Sequence, residues 1–296
     1  MNSPVCFQRR FLGPLLLLVL LPAGCDDTVN PFEEEDRYFT LFGFLDTAAD
    51  TQFVRVIPLR TTLLPEGPEP LDVHVTTTAL PDGRVQVWRD SVIQYADGSF
   101  GHVFYAPMQV FPSWTYRFEV RRADGATTTA ETTVPPATNV RVAPPAGLSR
   151  PEQTVLWEGI DFPPFRVEVW YRFASFPPTE PFREVVVVYG EERYGRRVEG
   201  GWQVNVALAE DRRAVLAQLG EPLTLLGVGM RLTMSDDRWR PPGGVFDPEL
   251  LVQPGTFSNV ENGFGFLGAV NQFTAEWTLP EPVVTALGYA YPGKRF

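Results

Sequence analysis

The chain has 296 residues, a formal net charge of −11 and 44% hydrophobic residues, enough to build one large core or two ordinary ones. A surface this acidic repels nucleic acid and anionic headgroups, so electrostatic recognition of either is excluded. The composition has 29 prolines and 25 glycines, with Lys294 the sole lysine among 25 basic residues; this favours strands and turns over helices.

Residues 1–24 read as an export signal. Arg9 and Arg10 form a basic start, Phe11 to Leu21 an apolar run too short to span a bilayer, and Ala23-Gly24 a small-residue end. The string LPAGC resembles a bacterial lipobox, with Pro22 where leucine is usual, and implies that Cys25 is lipidated and opens the mature chain. Ordinary cleavage near Gly24 is the alternative. Cys6 is the other cysteine and lies in the signal, so the mature protein is expected to hold no disulfide and no cysteine metal site. Residues 25–36, with Asp26, Asp27 and Glu33 to Asp36, read as an acidic tether. Acids behind a lipidated cysteine resemble the surface-export signal of Bacteroidota lipoproteins. That resemblance implies a surface-exposed outer-membrane location, with the periplasmic face as the alternative; in enteric bacteria the same Asp implies inner-membrane retention.

From Tyr38 onward, short β-branched and aromatic runs alternate with turns. YFTLFGFL, TQFVRVIPL, LDVHVTTT, RVQVWRD, SFGHVFYA, WTYRFEVRR and ATTTAETTV are expected strands, with hairpin cues at Asp82-Gly83, Asp97-Gly98 and Asp124-Gly125. This spacing predicts an immunoglobulin-like sandwich over residues 37–135. Residues 136–152 are proline-rich and read as a linker, because proline cannot serve a central strand. TVLWEG, FRVEVWYRF, REVVVVYG, GWQVNVAL and LTLLGVGMRLTM then predict a second β-rich domain over 153–285, with 286–296 left as a tail. One helix is expected from Ala209 to Leu219: Glu210 and Asp211 suit its N-terminal dipole, and Leu208, Val215 and Leu219 form an apolar face. The fold class is therefore all-β, two immunoglobulin- or fibronectin-like sandwiches in tandem with one short helix in the second.

Together these features resemble the domain of unknown function 4249 family, lipoproteins mainly of Bacteroidota. YFTLFGFLDTAADTQFVRVIPLR resembles its opening strand pair, WTYRFEVRRADGATTTAETTVPP the close of its first domain, and SNVENGFGFLGA its C-terminal hallmark. The hallmark maps onto Asn259, Gly263, Gly265 and Gly268 as structural residues. The resemblance covers nearly the whole mature chain and implies address and architecture, with no established activity. It also implies an envelope setting beside TonB-dependent outer-membrane receptors.

GFGFLG, residues 263–268, also matches the dinucleotide pattern G-x-G-x-x-G. A dinucleotide loop joins a buried strand to a helix whose N-terminus faces the pyrophosphate. Here QPGTFSNVEN precedes it as a loop and GAVNQFTAEWTL follows with strand character, so a turn and a glycine-relaxed strand are expected, with no nucleotide or other cofactor.

Other chemistry is sparse. No G-x-S-x-G elbow exists, and a zinc site would need both His74 and His102, each within an expected strand, plus carboxylates such as Asp72, which nothing in the spacing requires to meet. Glu158, Glu168, Glu184 and Glu276 lie beside aromatics and are the carboxylates a glycosidase would need, although alternating strands expose such acids routinely. Asp236-Asp237 could serve a calcium loop but reads better as a solvated turn. Trp170-Tyr171, Trp202 and Trp239 are candidates for a sugar-stacking platform, Trp202 and Trp239 foremost as ligand-facing aromatics, whereas Trp157 reads as core. The expectation is a non-enzymatic, membrane-anchored envelope protein that partners a TonB-dependent transporter. A surface glycan-binding or adhesive module is the alternative, and a hydrolase the third.

Overall fold

The computed structural model describes residues 37–59, 67–149, 151–160, 162–174, 182–193, 195–220, 223–236 and 258–293. The export signal, the tether with Cys25, and Asp237 and Trp239 lie outside the described residues.

Eight strands form the first half: β1 (Phe39–Asp46), β2 (Thr51–Pro58), β3 (Val73–Ala79), β4 (Val85–Val87), β5 (Arg89–Gln94), β6 (Phe100–Pro107), β7 (Thr115–Arg122) and β8 (Thr127–Thr133). They arrange as β1-β2-β6-β5 in one sheet and β8-β7-β3-β4 in the other, the immunoglobulin strand order with one extra edge strand. Asp82-Gly83, Asp97-Gly98 and Asp124-Gly125 close the β3–β4, β5–β6 and β7–β8 hairpins, each glycine at positive φ. Period-2 alternation turns Tyr116, Phe118 and Val120 of β7 inward against Leu41, Val54 and Phe104. Trp88 packs edge-on to Phe118 at 5.1 Å, and its indole N–H donates to Thr77 Oγ1 at 2.8 Å, so the ring enters the core without an orphan donor.

The second half repeats the plan with β9 (Val140–Val142), β10 (Gln153–Glu158), β11 (Arg166–Phe173), β12 (Arg183–Val188), β13 (Arg196–Val198), β14 (Gly201–Val206), β15 (Leu225–Ser235), β16 (Val260–Glu261) and β17 (Gly263–Trp277). Its sheets run β9-β10-β14-β13 and β17-β15-β11-β12, again immunoglobulin order. Helix α1 (Leu208–Leu219) fills the crossover from β14 to β15 and buries Leu208 and Val215, as its apolar face predicts. The expected linker contains β9, which the prolines confine to a sheet edge. The expected tail is part of the second core. A second helix, α2 (Glu281–Ala286), leads into buried Leu287, Tyr289 and Ala290, and Ala290 exchanges backbone hydrogen bonds with Leu223 and Leu225.

One strand belongs to both halves. The fifteen-residue β17 pairs antiparallel with β15 through Val270 to Trp277 and parallel with β1 through Gly263 to Val270. Leu267 and Ala269 sit in the first core, whereas Phe273 and Trp277 pack on the second. The two sandwiches thereby share an eight-stranded sheet ordered β12-β11-β15-β17-β1-β2-β6-β5.

Candidate functional site: the outer face of the shared sheet

The glycine motif is the join itself. Gly265 has φ +82°, and a Cβ there would lie 2.1 Å from the Leu41 carbonyl oxygen of β1. A Cβ on Gly263 would meet Phe39 O at 2.4 Å. These glycines let β17 lie against β1, and no helix follows them. Asn262, at φ 53°, makes the turn into the strand, and its carbonyl accepts from Tyr38 N and Thr128 Oγ1. Asn259 donates to Leu267 O at 2.7 Å and Glu131 O at 2.9 Å, while its Oδ1 accepts from Leu267 N at 3.0 Å. That side-chain amide stands in for a strand pairing at the junction of β8 and β17.

Asp236 departs from the expected solvated turn. It is 4% exposed and accepts from Thr132 Oγ1 at 2.9 Å and Thr133 N at 3.1 Å, tying the end of β15 to β8. Asn271, unremarked in the sequence, donates to Pro135 O at 3.0 Å and accepts from Thr47 Oγ1 at 2.7 Å. Polar side chains thus satisfy the backbone where the regular ladders stop.

The outer face of the shared sheet has two characters. Over the first sandwich it is aromatic: Phe44 lies on Gly268 and meets Phe266 edge-on at 5.2 Å, and Phe53, opposite Phe44 and Tyr105, is 57% exposed. Over the second sandwich it is a ladder of charges. Trp170 lies across Gly229 of β15 with Arg172 and Arg231 over its ring at 5.7 and 5.9 Å, leaving it 5% exposed. Glu168 bridges Arg166 at 2.8 Å and Arg231 at 3.3 Å, and Arg172 bridges Glu184 and Glu276. A groove of about 650 Å³ crosses the join between Phe44, Phe53, Phe165, Glu168, Arg231 and Gln272. Another of about 490 Å³ lies by Trp170, Arg172, Leu226 and Glu276. Both volumes are in the range of small-ligand sites.

The sequence candidates divide accordingly. Glu168, Glu184 and Glu276 do share this face, each bound to arginine, while Glu158 lies on β10 in another sheet, paired to Arg141. Trp202 is a correction: it stands opposite Trp157 and packs on the second core with its indole nitrogen buried, so it does not face ligand. Tyr171 also turns inward, so among the described residues Trp170, Tyr171 and Trp202 do not form one outward-facing platform. His74 is exposed on β3, and His102 is buried on β6 in the other sheet, its Nδ1 2.8 Å from Asp90 Oδ2; the two do not meet.

Asp211 carries more than a dipole role. At 1% exposed it accepts from Tyr171 and Tyr189 hydroxyls at 2.8 and 2.7 Å and from Arg193 at 2.8 Å, fastening α1 to the sheet. Burial first, and the neighbouring Asp211 charge second, push both tyrosine hydroxyls above their ordinary pKa.

No family model and no curated protein matches the chain. Among solved structures, a pullulanase from Anoxybacillus sp. LM18-11 aligns at 10% identity and TM-score 0.20, over 66% of this chain and 24% of that one. The chain thus spans about a quarter of that enzyme's length, and a likeness this slight bears on neither fold nor activity.

Proposed function

We propose that this is a non-enzymatic, lipid-anchored cell-envelope protein of the domain of unknown function 4249 type, serving as an accessory partner of a TonB-dependent outer-membrane transporter. The observation that supports a partner surface is the shared sheet's outer face, which runs unbroken from β5 to β12. Its acids are held by arginines at fixed spacing, an arrangement that suits orientation of a protein partner better than proton transfer. The export signal and Cys25 supply the address.

Two experiments test the reading. Radiolabelled palmitate should enter wild type and not Cys25→Ser; equal labelling removes the anchor. Tagged protein extracted in mild detergent should bring down a TonB-dependent receptor, and Arg172→Glu should weaken the association. Recovery with no receptor bound removes the partner assignment.

Phe53 supports a second reading, a glycan-binding module, because an aromatic ring that is 57% exposed beside a groove is a surface for stacking sugar. Retardation in polysaccharide gels that disappears in Phe53→Ala would favour it over the first.

A further inference from the structure

A sheet edge offers unpaired N–H and C=O groups to any passing strand, and folded proteins blunt such edges by shortening or charging them. Most edges described here are blunted. β4, β9 and β13 have three residues each and β16 two. At one end of the shared sheet, β5 opens with Arg89 and turns Asp90 inward onto His102. At the opposite end, β12 has six residues, REVVVV, pairs with β11 without a bulge and contains no proline. Its Val186 and Val188 are 42% and 53% exposed.

The pairing phase fixes which groups are available. Tyr189 N donates to Val167 O, so the odd-numbered residues of β12 bond to β11. By the antiparallel alternation, Glu184, Val186 and Val188 then direct N–H and C=O away from the sheet. We propose that two copies of the protein pair antiparallel through these edges, centred on Val186, to make a continuous sheet across a twofold axis. In that register Val186 meets its own mate and Glu184 meets Val188, placing the exposed valines of both copies on one face. An occupant of this edge must bring a free strand of similar length with apolar side chains on the outer face, and β12, whose outer edge pairs with no strand among the described residues, meets both conditions. A transmembrane barrel is closed and has no free strand edge to offer. The proposal therefore stands apart from the transporter assignment and is tested without any receptor.

The test uses full-length protein purified in mild detergent. Sedimentation velocity should show a dimer that Val186→Lys and Val188→Lys convert to monomer, with the melting temperature of the monomer unchanged by either. Directly opposed hydrogen-bonded residues have Cα atoms about 5.5 Å apart, within disulfide range. Val186→Cys treated with copper phenanthroline should therefore run as a covalent dimer on a non-reducing gel, and wild type treated alike should not. A wild type that stays monomeric up to about 100 µM overturns the proposal. So does a dimer that persists in both lysine variants, and so does a monomer whose β12 instead captures an extended peptide.

Discussion

The side-chain amide of Asn259 holds the backbone of Leu267 from both sides, donating to its carbonyl at 2.7 Å and accepting from its N–H at 3.0 Å. The same amide reaches Glu131 O, so one residue bridges β8 and β17 where Leu267 enters the first core. Asn259→Ala leaves those three backbone groups without that partner, and each buried orphan costs about 1–3 kcal/mol. A loss of at least about 2 kcal/mol is expected in urea unfolding. A loss below about 0.5 kcal/mol would mean that water replaces the amide at no cost.

Among the motif glycines, Gly265 should tolerate change least. Its φ of +82° and a backbone oxygen 2.1 Å from any added Cβ leave no room to relax. At Gly268 the obstacle is the Phe44 ring at 2.8 Å, which can swing outward. Gly265→Ala is therefore expected to cost more than Gly268→Ala, by about 1–2 kcal/mol, read from denaturant midpoints at constant m-value. Equal costs would show that the ring is as immovable as the β1 backbone.

Removing Asp211 should loosen α1. Asp211→Ala strips two tyrosine hydroxyls and Arg193 of a shared acceptor, and breaking a buried charged network costs about 3–5 kcal/mol. Hydrogen exchange should then speed up over Leu208–Leu219 before it does so in β7. Uniform acceleration through both would place Asp211 in the global unfolding unit.

Alkaline pH should weaken the same contact. The folded pKa of Tyr171 and Tyr189 lies above the ordinary value of 10.0, so their contribution is complete below that pH and declines above it. There the unfolded chain releases protons that the folded chain retains, at about 1.4 kcal/mol per pH unit for each tyrosine. Melting temperatures measured between pH 9 and about 11.5 should fall, and fall less steeply in Tyr171→Phe/Tyr189→Phe. Parallel slopes in the two proteins would assign the alkaline loss elsewhere.

Much of this architecture was legible in the sequence because it rests on local chemistry. Alternating apolar residues placed the long strands, Asp-Gly pairs placed the hairpins, and the spacing of Leu208 and Val215 placed α1. The absence of a helix after GFGFLG was also readable, since that too is a matter of neighbouring residues. Polar side chains were the least legible. Asp211, Asp236 and Asn271 sit among residues of ordinary helix-start, turn and strand composition, and their partners lie 18 to 224 positions away. Trp202 misled for the converse reason: an aromatic in a half-buried strand has the same period on either face, and only the opposite sheet decides which face is core.

What the sequence determined by itself was the class, two rounds of strands in immunoglobulin spacing, and the signals that would place the chain in an envelope. Those are properties of residues within a few positions of one another. The tertiary structure alone decided that the sandwiches share β17, because parallel pairing of Gly265 with Leu41 joins residues more than two hundred positions apart. No short-range pattern records such a contact; its local trace is the missing Cβ that lets the two backbones meet.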